Sequence, residues 1–382
     1  MTDVDGAAAR GTRPRLRPGV KRAIQIVVSV VLVGFIVWFV FGQFANLSDV
    51  TAVLRSLSAG EIAVLLLVAT WNLLTYWGVV VVATPGMTVA QSAVLTQSTT
   101  AVSNAIPGGS AIAVGLTYAM MSSWGFSRSR TTLSVVVSGI WNNLIKLGMP
   151  ILALALLAIQ GEADAGRTVA ALLGLVALVA AVACFALVLR SEAFAARVGI
   201  ASGRLASKLL AVLKRPPVRG WDLAVVTWRS RVVGLVRHRW LALSVSAVAS
   251  HVSLYAVLLV ALRVAGVPST DVGWAEVLAV FAFARLVTAI PLTPGGVGVV
   301  ELALIAGLTQ AGGASANVVA AVLLFRLLTY VLPIVIGAFT HVYWRKNTSW
   351  RDSAPALNDS AVTTTGSGRP RAAASNPGRD ST

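Results

Sequence analysis

The chain is predicted to be an all-α polytopic membrane protein. About six full transmembrane helices are joined by two Pro-Gly-Gly-broken re-entrant helix pairs in an inverted repeat. Three observations predict this. The composition is 57% hydrophobic and only 12% charged, with a mean hydropathy of +0.81, whereas a soluble globular chain carries about a quarter charged residues. The apolar residues fall in stretches long enough to cross a roughly 30 Å hydrocarbon core. Two of those stretches are interrupted by related segments, Ala105-Ile-Pro-Gly-Gly109 and Ala289-Ile-Pro-Leu-Thr-Pro-Gly-Gly296. A helix break at membrane depth is tolerated only where the freed backbone is buried in protein or lines a cavity. Paired breaks in two halves point to a transporter-type binding site.

The elements follow in order. Residues 1–22 form a basic arm containing Arg10, Arg13, Arg15, Arg17, Lys21 and Arg22. The first apolar run, Ala23 to Gly42, is too long for a signal-peptide core and has no small-residue cleavage site after it, so it reads as an uncleaved anchor. Full spans are expected at Glu61–Ala83, Arg130–Gln160, Thr168–Leu189, Trp240–Gly266 and Ala316–Trp344. The broken units run from Thr88 to Met121 and from Trp274 to Leu308, each enough for two short helices.

Charge supports this count. With the amino terminus cytoplasmic and each broken unit returning to its own side, the arm, Arg128 and Arg130, the block 190–239 and the tail fall inside. Asp49, Glu61, Glu162, Asp164, Asp271 and Glu276 then fall outside, as the positive-inside rule requires. The localisation expected is the cell membrane, multi-pass, with both termini cytoplasmic.

Within the transmembrane domain, residues 23–346, the half-repeats 61–160 and 240–344 match as wholes. Each has a span, a broken unit and a second span, and an odd number of spans separates matching points, so the halves should be inverted. The connector 190–239 carries Leu205, Lys208, Leu209, Val212 and Leu213 at helical spacing. It reads either as amphipathic helices on the inner membrane face or as a solvated connector. The tail 347–382 is Ser/Thr/Gly/Pro/Ala-rich and is expected to be disordered.

Ionisable residues inside spans are costly, about 2.5–3.5 kcal/mol each on insertion scales, and therefore tend to be functional. Lys146, Arg285, Glu301 and Arg326 are such residues. One carboxylate against three cations leaves room for an anion, for which a lipid phosphate is the natural candidate. The competing reading is a structural ion pair of Glu301 with Arg326 or Arg285. Gly108–Gly109 and Gly295–Gly296 would let backbone approach a ligand, and the helix starting at each break would aim free N–H groups at the gap. Asn104 and Thr293 would cap those helices or touch ligand. Asn142 shares a helix face with Lys146, as His251 does with Tyr255. Arg263, near a span end, is expected to snorkel. The candidate lipid site is thus Asn104, Pro107, Gly108, Gly109, Asn142, Lys146, Arg285, Thr293, Pro294, Gly295, Gly296, Glu301 and Arg326.

Other chemistries find little support. No catalytic residues, no metal site and no cofactor are expected. His238, His251 and His341 are far apart, and Cys184 stands alone in an apolar run as an expected inert packing residue. Gly108-Gly109-Ser110-Ala111 with His251 only outlines an intramembrane serine protease. The basic clusters of this +17 chain suit lipid headgroups rather than nucleic acid.

The segment Pro291-Leu-Thr-Pro-Gly-Gly-Val-Gly-Val-Val-Glu301 resembles the signature of the lysylphosphatidylglycerol synthase transmembrane-region family, the flippase-like domain of multiple peptide resistance factor proteins. Asn104-Ala-Ile-Pro-Gly-Gly-Ser110 is similar to that family's looser first motif. Many relatives read Pro-Gly-Arg-x-Gly-Glu there; this chain has Pro107, Gly108, Gly109, Ser110, Ala111 and Ile112, so the Arg and the final Gly-Glu are missing. The resemblance implies translocation of a lipid or lipid-linked headgroup, with an anionic phospholipid or lipid-linked glycan as ligand. The aminoacyl-transferring domain of fused relatives has no counterpart in the short tail, so no enzyme activity is expected. The alternative is a non-transporting membrane partner that binds lipid or scaffolds an envelope enzyme.

Overall fold

The computed structural model describes residues 47–105, 109–160, 165–212, 221–288, 296–347 and 349–352, and helix is their only regular structure. Local chemistry starts several helices. After a short helix α1 (Leu47–Arg55), α2 (Ala59–Ala83) begins with a capping box. The Ser58 hydroxyl accepts from the Glu61 N–H, and Glu61 Oε2 accepts from the Ser58 N–H at 2.8 Å. The first broken unit is α3 (Val89–Ala105) and α4 (Gly109–Ser123), and α5 (Arg128–Ile159) follows behind an Ser127 N-cap.

The remaining helices are α6 (Ala165–Arg190), α7 (Glu192–Val212), α8 (Trp221–Val264), α9 (Trp274–Val287), α10 (Val299–Gln310), α11 (Ser315–Arg326), α12 (Leu332–Lys346) and α13 (Ser349–Asp352). Leu327–Val331, between α11 and α12, is a π-turn.

Four stretches are long and apolar enough to cross a membrane: Ala59–Ala83, Arg128–Ile159, Val232–Val264 and Ser315–Lys346. They lie within a few residues of four of the expected spans, except that the third starts well before Trp240. The expected first span, Ala23–Gly42, lies outside the described residues. Thr168–Leu189 falls on α6, but the chain turns by 118° between Leu178–Arg190 and Glu192–Arg204, so α6 runs into a crossing helix, α7. The described residues of the connector, 190–212 and 221–239, are almost all helical. Its second part is continuous with α8, which runs over 44 residues: no proline interrupts it, and the lone Gly234 is tolerated within it.

Lipid tails are as apolar as leucine, so helix association here depends on close packing rather than on escape from water. The contacts show this. A Cβ on Gly337 of α12 would strike the Gln97 carbonyl oxygen and Ala101 of α3, and one on Gly307 of α10 would sit 2.6 Å from a Val280 methyl of α9. The packing is reciprocal across the two halves: α3 lies chiefly on α12, α9 chiefly on α5, and α2 on α8.

Each broken unit is a helical hairpin whose open end closes on itself. Met87 and Val94 share one buried cluster with Met120, Met121 and Trp124. At the opposite unit, a Cβ on Gly312 would lie 2.9 Å from the Asp271 carbonyl oxygen. The main core gathers α8 to α11 around Phe281, Leu258, Leu304 and Ile305.

Three further expectations need correction. Cys184 is exposed on α6, so it is no packing residue. Arg263 does more than reach for the interface: its guanidinium donates to the Val267 and Val272 carbonyls, both at 2.8 Å, and clamps the loop before α9. The tail does not begin as disordered chain. It opens with α13, where Trp350 meets Trp124 edge-on at 5.6 Å. Residues 353–382 lie outside the described residues, as do residues 1–46.

Candidate functional site

The first break begins where α3 ends at Ala105 and closes where α4 starts at Gly109. A Cβ on Gly109 would collide with the Val102 carbonyl oxygen and lie 2.9 Å from that of Ser103. The glycine is therefore needed for the approach of one helix end to the other, not for a ligand. The Ser103 and Ser110 hydroxyls are 3.2 Å apart across the gap. Ile106, Pro107 and Gly108 lie outside the described residues.

At the second break α9 ends at Val287, and the Thr288 hydroxyl donates to the Arg285 carbonyl at 2.6 Å. Thr293, Pro294 and Gly295 lie outside the described residues. Gly296 and Gly298 adopt φ of +71° and +84°, values that a side chain with a Cβ resists. The helix that follows this break does not start at Gly296: α10 starts at Val299, after these left-handed residues. Glu301 sets that start by accepting the Gly298 N–H on Oε2 at 2.8 Å. So at least one N–H of the helix entrance is satisfied by the chain itself.

Glu301 does two jobs. Its Oε1 also accepts from Arg326 Nε at 2.6 Å, with both side chains only 12–13% exposed. The structural ion pair is thus real, and Arg326, not Arg285, is its partner. Arg326 also lies over the Tyr330 ring, 4.5 Å from its centroid. The Tyr330 hydroxyl in turn donates to the Asn104 carbonyl at 2.8 Å. A π-turn makes this possible by carrying Arg326, Thr329 and Tyr330 toward the same space. One chain of contacts therefore joins Gly298 at the second break to Asn104 at the first.

Between the breaks lies a cavity of about 280 Å³, lined by Ser103, Asn104, Ser110, Lys146, Arg285, Thr288, Gly296, Arg326, Thr329 and Tyr330 among others. Lys146, Arg285 and Arg326 are its charged lining residues, and no carboxylate lines it among the described residues. Arg285 Nε is buried without a hydrogen-bond partner. Neither Arg285 nor Lys146 has an ion-pair partner among the described residues.

A second cavity, of about 200 Å³, adjoins the first through Leu254, Arg285 and Thr329, and is lined also by Asn72, Tyr76, Gln97, Asn142 and His251. A third, of about 210 Å³, adjoins the second through Tyr76, Asn142, Ser250 and His251. Asn142 and Lys146, one helical turn apart, thus serve neighbouring compartments rather than one. Ser110 and His251 line different cavities and share no hydrogen bond, which removes the protease outline. No cluster of metal-ligating side chains occurs among the described residues.

The sequence missed Tyr330, Tyr76 and Gln97. Each is a single polar residue on an otherwise apolar span, a weak signal that the intramembrane rule covers only for ionisable groups.

No individually curated protein matches the chain. A family profile described as the lysylphosphatidylglycerol synthase TM region matches residues 26–337. That match takes in both breaks, the three cavities and the Glu301–Arg326 pair, and the chain belongs to the lysylphosphatidylglycerol synthase transmembrane-region family.

Proposed function

We propose that the protein is a lipid flippase-like transporter of the cell membrane, with both termini cytoplasmic, that binds an anionic lipid headgroup between its two helix breaks. One observation carries this reading: the cavity between the breaks is lined by three cations, and the Glu301 carboxylate engages only one of them. Leaving Lys146 and Arg285 uncompensated in low dielectric is costly, and an anion in the cavity would offset that cost. At about 280 Å³ the space is at the low end for a ligand site, suited to a headgroup with its acyl chains left in the bilayer.

The fold supports transport. Each half has the order span, hairpin with a glycine-containing break, span, and the reciprocal packing of α3 on α12 and α9 on α5 is the pattern an inverted repeat produces. Re-entrant hairpins in such a repeat put their breaks at the membrane midplane, where alternating access needs its site.

The test uses the purified chain in vesicles. Lys146→Gln and Arg285→Gln should each weaken binding of phosphatidic acid and phosphatidylglycerol by about tenfold or more, the worth of a charge-assisted hydrogen bond of about 1.5–3 kcal/mol. Both should slow movement of a fluorescent anionic lipid between leaflets. Unchanged binding in the double variant would defeat the anion site. Binding without any movement would leave a lipid-binding membrane partner as the function.

A further inference from the structure

The second cavity differs in chemistry from the first. Beside the apolar Leu73, Leu254 and Pro333, its polar lining apart from Arg285 is neutral: Asn72, Tyr76, Gln97, Asn142 and His251 are the groups that matter. Two buried atoms there have no hydrogen-bond partner, Gln97 Oε1 and His251 Nε2. Their residues are only 2% and 6% exposed.

Both atoms are acceptors. Gln97 Oε1 is a carbonyl oxygen. His251 Nδ1 lies 3.0 Å from the Ala247 carbonyl oxygen, which can only accept, so Nδ1 carries the ring hydrogen. In the neutral ring Nε2 then offers a lone pair. Leaving two buried acceptors unmatched costs about 1–3 kcal/mol each. What they lack is a donor.

An ammonium group could donate, but the same cavity contains the Arg285 guanidinium, Lys146 lines the adjoining one, and no carboxylate lines either among the described residues. A cationic donor would meet like charge with no counter-ion. Hydroxyl groups are donors without charge. Asn72, Tyr76 and Asn142 add the mixed donors and acceptors that a polyol needs. Arg285 stands where the two cavities meet, so a phosphate held there would have its ester substituent in the neutral compartment.

We infer that the two adjoining cavities form one bipartite site for the phosphate ester of a polyol, the phosphate bound by Arg285 and Lys146 and the hydroxyls by Gln97 and His251. This rests on the anion-site reading and narrows it to a headgroup class: glycerol or sugar, not an amine. The same chemistry could come from a phospholipid or from a free polyol phosphate.

The experiment measures binding to the chain in detergent by displacement of a fluorescent phosphatidylglycerol. The competitors are phosphatidylinositol, phosphatidylglycerol, phosphatidic acid, phosphatidylethanolamine, lysyl-phosphatidylglycerol and free glycerol 1-phosphate. The site predicts that the two polyol lipids bind about fivefold or more tighter than phosphatidic acid, which has phosphate without polyol. The amine-bearing lipids should bind worse than either.

His251→Phe and Asn142→Leu should each erase most of that preference while leaving phosphatidic acid affinity within about twofold. Gln97→Leu should do the same, and the other two variants keep the test intact if this one, packed against Gly337, fails to fold. Free glycerol 1-phosphate matching phosphatidylglycerol would support the site and assign it a soluble ligand; much weaker binding would assign it a lipid. Polyol lipids binding no better than phosphatidic acid, or a preference that survives His251→Phe and Asn142→Leu, would overturn the polyol compartment with the anion site intact. Lysyl-phosphatidylglycerol binding tightest would also overturn it. Loss of all anionic lipid binding by the native chain would instead sink the anion site itself.

Discussion

Glu301 is the residue whose loss the structure prices most fully. Its carboxylate holds Arg326 at 2.6 Å with one oxygen and the Gly298 N–H at 2.8 Å with the other. Truncation to alanine removes both. Breaking a buried ion pair costs about 3–5 kcal/mol, and the lower end applies here because both side chains retain some exposure and Arg326 keeps its stacking on Tyr330. Loss of the cap adds about 1 kcal/mol. Glu301→Ala should therefore destabilise by about 4 kcal/mol.

Glu301→Gln keeps a neutral acceptor for the Gly298 N–H and should cost about 1 kcal/mol less. Intrinsic tryptophan fluorescence during heating in detergent would rank them. At about 2 °C per kcal/mol, the lower end of the range for larger domains, the alanine variant should melt some 8 °C below the native chain. Charge exchange, Glu301→Arg with Arg326→Glu, should not restore stability, because an arginine at 301 cannot accept the Gly298 N–H. Glu301→Gln combined with Arg326→Gln should be less damaging than the sum of the singles by about 2 kcal/mol. A coupling near zero, or a charge-exchanged chain as stable as the native one, would refute the double role.

The other expectations are simpler. Gly296→Val forces a β-branched residue to φ +71° and sets its Cβ 2.9 Å from a Val300 methyl, a strain of about 1–2 kcal/mol or more. The protein should still insert and remain monodisperse on size exclusion but bind anionic lipid poorly, and full binding would show that this backbone does not shape the site. Gly109→Val meets the immovable Val102 carbonyl, so it should abolish monodisperse protein altogether, and a well-behaved variant would contradict the geometry. Tyr330→Phe should lose about 1 kcal/mol with its donation to Asn104 while keeping the stacking on Arg326. Tyr330→Leu should lose about 0.5–2 kcal/mol more, and equal melting temperatures for the two would remove the stacking from the account. In a Cys184→Ala background, Arg204→Cys, at an exposed position, should resist an impermeant maleimide on intact cells, and labelling there would invert the proposed orientation.

Much of the architecture was legible because membrane helices must be long, apolar and internally hydrogen-bonded. Glu61–Ala83 and Ala316–Trp344 fall within two or three residues of the helical spans found, and the described helices end at Ala105 and Val287 and resume at Gly109 and Val299, around the two Pro-Gly-Gly segments. The early start of α8 was not legible, since the basic residues from Arg229 to Arg239 look like loop and yet are good helix formers.

The intramembrane charges were found from cost alone, but their division was not. Nothing local distinguishes Arg326, paired with Glu301, from Arg285, which has no such partner; that follows from how α9, α10 and α11 meet. The role of Gly109 was misread for the same reason, because its neighbour is the end of α3 rather than a ligand. The neutral compartment was invisible, since Gln97, Asn142 and His251 come from three different helices.

The π-turn at Leu327–Val331 gives the last span a ratchet tooth. A π-turn has one residue more than the α-helix it interrupts, and returning it to α geometry would rotate everything beyond by about 100° and draw it along the axis by about 1.5 Å. Beyond it lies α12, whose Gly337 fits against Gln97 and Ala101 with no room for even a methyl group. A click of that size would swing a bulkier side chain into the slot and push α3 away, while pulling Tyr330 off Asn104 further along the same helix. The joint and the slot are thus geared together: the last span can turn only if the first hairpin moves with it.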